Sequence, residues 1–371
     1  MRILKIHCAI IFLLAACLPP AFANSLVEAP LKSGITSVVE QNSGKGISQI
    51  SELAEKYPNF KLAQFIKADL LSYRSGQRLK KAENFITPDI YKELEARLKE
   101  DTVVKEGLFP SEILYLGQMY PHVLVADISK SRLYVYDNNL SLVNSFYISI
   151  GRSGAGKEKL NDGKTPIGTY FIDKRIDGEI LPDRYGDVAY TLNYPNAWDK
   201  KQGKTGYGIW LHGTTKDLYN RAPKATEGCI ALANDDIKIL GQYIAENAPV
   251  IIGNPVKWSR KRAVFNNQEF IKTFNILNKD VSQLVTQSNT PFSFSVVSNA
   301  LAMETNLPMN NLSLINGPEN NMLIAAFLQQ VDTKMVRVEQ YWQNSETGWK
   351  IVSDSRSDAL APLQLTQAQI P

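Results

Sequence analysis

The spacing of apolar residues changes near Pro121, and that change limits what this chain of 371 residues can fold into. Before it, Ile47, Ile50, Leu53, Ala54 and Tyr57 recur on one helix face, and Pro58 breaks the run. Leu62, Phe65, Ile66, Ala68, Leu70 and Leu71 then resume the pattern as far as Gly76. A further helix follows Thr87-Pro88-Asp89, with Ile90, Leu94 and Leu98 on one side, and helix is expected to about residue 115. After Pro121 the period is two: Val123, Val125, Leu133, Val135, Leu142, Phe146, Ile148 and Ile150 alternate with polar residues, and Asp137-Asn138-Asn139 punctuates a hairpin. Antiparallel strands are expected here, with others at 170–172, 188–192, 209–211 and 250–252 and one helix from about Asp235 to Asn247. Past Pro255, a basic run of Lys257 and Arg260-Lys261-Arg262 leads into a helix to about Thr286. Strands are then expected over 292–297, 322–331, 335–342 and 349–352. The fold class is multidomain α+β: a helical region at 24–118, a β-rich domain at 119–254 and an α+β domain at 255–371.

Residues 1–23 read as an export signal: Met1 to Lys5 are basic, Ile6 to Leu18 apolar, and Ala21-Phe22-Ala23 is a small-x-small cleavage site. The apolar run is too short for a lasting membrane anchor, and no later run is long enough to cross a bilayer. The expected location is periplasmic, with a lipoprotein acylated at Cys17 as the alternative. A hydrophobic share of 44% suffices for real cores, and the net charge of +4 falls to +2 once Arg2 and Lys5 leave, too little to argue for nucleic acid as a partner.

Cys8 and Cys17 lie in the export segment, which leaves Cys229 as a lone thiol, 17 residues after His212. An unpaired cysteine in an oxidising compartment calls for a reason, and nucleophilic catalysis with a histidine partner supplies one. A thiol near its free pKa is only slightly ionised at neutral pH and needs a base beside it. Gly213 would leave room for a backbone carbonyl to bond the second ring nitrogen of His212 and fix its tautomer. Gly228 would let the chain turn tightly before Cys229 and present unhindered N–H groups to an oxyanion. The alternative is a buried structural cysteine beside a strand histidine. His122 reads as structural or exposed, and Gly151 to Gly156 as a mobile loop, since no strand-to-helix context makes it a phosphate site. No cluster has metal-ligand spacing, so neither a metal nor another cofactor is expected.

His212-Gly213 followed by Thr226-Glu227-Gly228-Cys229-Ile230 resembles the signature of the L,D-transpeptidase catalytic domain family, the YkuD-like proteins. Lys157-Glu158 and the run from Asp162 to Tyr170 are similar to that family's upstream segment, and Leu192 to Pro195 and Gly203 to Gly206 match a subgroup. Two positions depart from the commonest form: Glu227 stands where many members have a second histidine, and Ala231 where arginine or asparagine is usual. The resemblance implies that the Cys229 thiolate attacks the third residue of a peptidoglycan stem tetrapeptide, D-Ala leaves, and His212 moves the protons. It implies an oxyanion held by the N–H groups of Gly228 and Cys229, and acylation of the thiol by carbapenems. Thr226, Tyr207, Trp210 and Asn234 are candidate substrate contacts by neighbourhood alone. An amine acceptor gives a crosslink or attachment of a wall-anchored protein; water gives L,D-carboxypeptidase trimming. The three-part plan resembles the cell-shape L,D-carboxypeptidases, and the rear domain is similar to the cone-shaped nuclear-transport-factor-like fold, which usually encloses a pocket. A wall-binding scaffold without turnover is the non-enzymatic alternative. The first helix pair has the look of one tetratricopeptide-like hairpin, which must pack on the catalytic domain or on a second copy, giving a homodimer through the N-terminal helices.

Overall fold

The computed structural model describes residues 26–76, 88–99, 101–117, 120–219, 221–245, 247–263, 265–277, 312–317, 319, 321–331 and 334–358. The export segment with Cys8 and Cys17, the end of the helix expected to Thr286 and the strand expected at 292–297 lie outside the described residues.

The described residues begin with three helices: α1 (Glu28–Val39), α2 (Ser43–Lys56) and α3 (Lys61–Arg74). The Asn42 side chain starts α2 by accepting from the Lys45 N–H. Ile50, Leu53 and Ala54 of α2 close one core with Leu31 and Ile35 of α1 and Leu62, Ala63 and Ile66 of α3. The first two helices lie so close that a Cβ on Gly46 would sit 2.7 Å from the Gly34 carbonyl oxygen. Helix α1 lies within the region expected to be helical, but no apolar stripe singles it out, because Gly34, Ser37 and other small or polar residues interrupt it. Next come α4 (Pro88–Leu98) and α5 (Thr102–Glu106), the latter capped by Asp101, which accepts from Val103 and Val104 N–H groups.

Helix ends at Gly107, in a left-handed conformation with φ of +61°, and not near residue 115. The chain then runs to the rear of the molecule through β1 (Phe109–Pro110) and β2 (Ile113–Leu116). The central part holds β3 (His122–Asp127), β4 (Arg132–Asp137), β5 (Leu142–Tyr147), the short β6 (Ile150–Gly151), β7 (Gly168–Asp177) and β8 (Val188–Leu192). After α6 (Ala197–Lys201) come β9 (Trp210–His212), β10 (Lys224–Thr226), β11 (Ile230–Ala231), α7 (Asn234–Gly241) and β12 (Pro249–Gly253). Eight of these strands form one sheet in the order β11-β9-β8-β7-β12-β3-β4-β5. It is mixed, and the expectation of purely antiparallel strands is corrected at two pairs: β12 runs parallel to β3, and β11 parallel to β9. Both arrangements share a period of two, so alternation alone does not separate them.

Leu124, Ala126, Leu133, Val135 and Leu211 face one side of the sheet, where Ile237 and Leu240 of α7 cover them. Val123, Val125, Tyr134 and Tyr136 face the other side and meet the rear part. Among the described residues, that part holds β13 (Trp258–Ser259), α8 (Gln268–Leu277), β14 (Leu312–Asn316), β15 (Met322–Val331), β16 (Lys334–Ser345) and β17 (Gly348–Asp358). Its antiparallel sheet has the order β17-β16-β15-β14-β2. Phe270 and Phe274 of α8 pack on Trp342 at ring separations of 5.1 and 5.7 Å. Ile113–Leu116, expected within the helical region, is thus an edge strand of the rear sheet, and β1 pairs with β13.

Buried charge ties the helical front to the centre. Glu28 pairs with Arg132 at 2.5 Å and with Arg97 at 3.5 Å, and Arg97 also bonds Glu93 and the Tyr219 carbonyl. Burial pushes the Glu28 carboxyl up, but the Arg132, Lys32 and Arg97 charges more than offset it and hold it at about 2. Removing one partner from such a cluster costs roughly 3–5 kcal/mol, so these charges fix where the helices sit. Among the described residues, no helix is long and apolar enough to cross a membrane.

Candidate active site

Parallel pairing of β9 with β11 brings the two chemically distinctive residues together: Ile230 lies opposite Leu211 and Ala231 opposite His212, so Cys229 enters the strand beside Trp210. Both Cys229 and His212 line a pocket of about 880 Å³, within the range typical of small-molecule sites. Along β9, Leu211 points into the main core, whereas Trp210 packs with Cys229, Tyr185 and Ala189 in a separate cluster. The Tyr185 ring stands edge-on to His212 at 5.1 Å and fixes its plane.

The turn before Cys229 is braced from two sides. Gly228 has φ of +132°, and a Cβ there would come within 2.7 Å of the Lys164 carbonyl oxygen, so only glycine fits. Thr165 Oγ1 donates to the Gly228 carbonyl and accepts from the Gly151 N–H. Asp162 gathers the N–H groups of Glu158, Lys159 and Lys164 and the Lys157 ammonium, which shapes the loop that carries Thr165. These bonds hold the Asp162 carboxyl well below its usual range despite the opposing effect of burial.

His212 Nδ1 lies 2.6 Å from the Gly213 carbonyl oxygen, the contact expected from the sequence. With Nδ1 carrying the proton, Nε2 is left as the base. Burial pushes the imidazole down to about 4, the Gly213 bond opposing this and the charges of Arg221 and Arg184 adding to it. Burial likewise pushes the Cys229 thiol up to about 11, against the Trp210 N–H and the Lys157 and Arg184 charges. Sγ donates to the Gly208 carbonyl at 3.2 Å. The free pocket therefore holds neutral thiol and neutral imidazole, not the ready thiolate expected beside a histidine.

The other expected residues divide. Tyr207 is 55% exposed and lines the pocket, as a substrate contact requires. Thr226 also lines it, but its hydroxyl donates to the Cys229 carbonyl at 2.7 Å and accepts from the Gly228 N–H at 3.1 Å. That second bond occupies the Gly228 N–H in the free protein, where an oxyanion role had been expected for it. Trp210 is 2% exposed and packs on Tyr185, so its indole is a floor beneath Cys229 and not a substrate contact. Asn234 is corrected too: Oδ1 accepts from the Thr214 N–H at 3.0 Å and Nδ2 donates to the Thr214 carbonyl at 2.8 Å, tying α7 to the loop after His212. His122 is structural, edge-on to Tyr243 at 5.1 Å. The Gly151–Gly156 segment is hydrogen-bonded to Thr165 and places Arg152 in the pocket wall, where Arg152 pairs with Glu227.

Sequence reasoning missed Tyr185, Arg184, Arg221 and the helical-region residues Asn59, Lys61, Asp89, Ile90 and Glu93, which form one wall of the pocket. No local pattern marks them; long-range packing brings them there. Among the described residues, no group of three or more His, Cys, Asp or Glu is placed to hold a metal ion.

Residues 121–252 match the model of the YkuD family, the L,D-transpeptidase catalytic domain. YafK of Escherichia coli (strain K12), named as an L,D-transpeptidase, is 26% identical over 115 residues, 31% of this chain. The matched region spans 41% of YafK's length, so the chain covers less than half of that curated relative. Among solved structures, Bd1075 of Bdellovibrio bacteriovorus is 24% identical, with a TM-score of 0.46 over 68% of this chain and 98% of that one. The helical cell shape determining protein Pgp2 from Campylobacter jejuni is 22% identical, with a TM-score of 0.46 over 68% and 97% of the two chains. With His212, Thr226, Glu227 and Cys229 of the signature gathered at one pocket and the family model spanning the sheet that builds it, residues 121–252 of this chain are similar to the L,D-transpeptidase catalytic domain of the YkuD family.

Proposed function

We propose that this chain is a peptidoglycan-remodelling cysteine enzyme in which Cys229 acts on stem tetrapeptides. The observation that carries the reading is the pairing at one pocket of a thiol with a histidine whose Nδ1 is fixed by the Gly213 carbonyl. His212 Nε2 takes the Cys229 proton as the sulfur attacks the carbonyl of the third residue, forming a C–S bond and a tetrahedral oxyanion. Collapse breaks the amide C–N bond, His212 returns the proton to the departing amine, and D-Ala leaves a thioester on Cys229. An acceptor amine, deprotonated by His212, then displaces the sulfur. Burial of both groups supports proton transfer within the encounter, since neutral partners cost less to keep in a dry pocket than an ion pair. Export to the compartment that holds the wall is part of this proposal and rests on the basic and apolar N-terminal segment.

A second reading, with water as the acceptor, is favoured by one feature: the helical region walls the pocket with Asn59, Lys61, Asp89, Ile90 and Glu93, which leaves less of its rim open to a second peptide. Purified protein incubated with disaccharide-tetrapeptide tests both. D-Ala release with 3-3 crosslinked dimers supports transfer to an amine, and D-Ala release with disaccharide-tripeptide supports trimming. Cys229→Ala is expected to lower either rate by roughly three orders of magnitude or more. Unchanged turnover in that variant, folded as the parent, would overturn the reading.

A further inference from the structure

Arg221 lines the same pocket, is 7% exposed, and has no use in the chemistry above. Its backbone is pinned: the Tyr147 hydroxyl donates to the Arg221 carbonyl at 2.7 Å, and Ser149 donates to the Ala222 carbonyl at 2.6 Å. Its side chain is not. Nε, Nη1 and Nη2 are all shielded from solvent and none has a hydrogen-bond partner. The neighbouring Arg97, seated 4.0 Å over the Tyr147 ring, is satisfied by Glu93, Glu28 and the Tyr219 carbonyl. Arg221 lies 6.0 Å from the same ring, and although Asp236 and Glu93 are near enough to favour its charge, neither pairs with it. A guanidinium carries five donors in a fork that fits a carboxylate, and burying it without one is costly. Three other cations of the pocket wall are engaged within the protein: Arg152 with Glu227, Lys157 with Asp162 and Arg184 with the Tyr185 hydroxyl. Ala231, also in the lining, contributes only a methyl group there.

We propose that Arg221 is the carboxylate-recognising residue of this pocket, its guanidinium receiving a free carboxylate of the peptide that Cys229 attacks. The proposal rests on the reading of Cys229 as a nucleophile toward stem peptides and adds which group of the substrate the pocket selects. Because no hydrogen bond holds the guanidinium, turning it toward the incoming carboxylate breaks none. A stem tetrapeptide offers two such groups, the C-terminal carboxylate of D-Ala and, where the third residue is diaminopimelate, that residue's side-chain carboxylate. Bidentate pairing with either would orient the scissile carbonyl toward Cys229.

The test is calorimetric binding to the full chain carrying Cys229→Ala, so that no turnover intervenes. Four peptides are compared: the diaminopimelate tetrapeptide, its C-terminal amide, its side-chain amide, and the L-Lys tetrapeptide. Amidating the recognised carboxylate is expected to weaken binding roughly 10- to 100-fold, and which amide does so identifies the source. The L-Lys peptide should follow the side-chain amide. Adding Arg221→Gln should weaken the parent peptide similarly and remove the difference between acid and amide, with Arg221→Lys restoring part of it. If Arg221→Gln does not fold, the comparison of acids and amides on the Arg221 protein still decides. Equal binding of all four peptides, or a difference that persists in a folded Arg221→Gln protein, would overturn the inference while leaving the function reading standing. Failure of every peptide to bind would count against the function reading itself.

Discussion

Cys229 directs its proton to the Gly208 carbonyl and sits beside a histidine that burial keeps neutral. With the thiol at about 11, roughly one molecule in ten thousand holds a thiolate at pH 7. Ionisation of the thiol rises with pH toward about 11, and His212, already neutral above about 4, adds no step near neutrality. Alkylation of Cys229 by a small neutral reagent is therefore expected to accelerate about tenfold per pH unit from pH 7 to 9 without a plateau. A plateau beginning below pH 7 would mean a preformed thiolate–imidazolium pair and would contradict the electrostatics described here. At this scale the sequence was informative where a backbone demand selects one residue type. Gly213 leaves its carbonyl free for Nδ1, and Gly228 cannot carry a Cβ against Lys164. It was silent on Arg221 and Tyr185, whose placement depends on strands and loops far along the chain.

At the scale of elements, short β11 and α7 set the site because each is tied to the loop that follows His212. Leu232 N–H bonds the His212 carbonyl, and the Asn234 amide brackets Thr214. Asn234→Ala is expected to cost about 1–3 kcal/mol in denaturant unfolding, because it leaves the Thr214 N–H and carbonyl without their partner. It should also slow Cys229 acylation, since Thr214, next to the Gly213 that holds His212, loses its anchor. A variant as stable as the parent that loses only peptide affinity would show Asn234 to be a substrate contact instead. The individual strands were largely legible: Val188–Leu192 and Met322–Val331 fall where alternation placed them. Their partners were not, because a strand's period says which face is apolar and nothing about its neighbours. For the same reason, the parallel pairing of β9 with β11, which joins His212 to Cys229, had no signature in either segment.

Across the whole molecule, three units expected from the change in hydrophobic period are present, but they are not simply strung together. The helical region walls the pocket of the central domain, and β2 crosses to complete the rear sheet, burying Val123 and Val125 between the two sheets. Side-chain burial at such junctions follows from tertiary packing, so only the existence of each unit was readable in advance. The claim that unites these scales is that Cys229 becomes covalently acylated in this assembled pocket. Intact-mass spectrometry of the folded chain after incubation with a carbapenem tests it most directly. The account predicts a single adduct with the mass of the β-lactam, mapped to Cys229 by peptide sequencing and absent from Cys229→Ala. No adduct on the folded protein, or an adduct that survives Cys229→Ala, would contradict it.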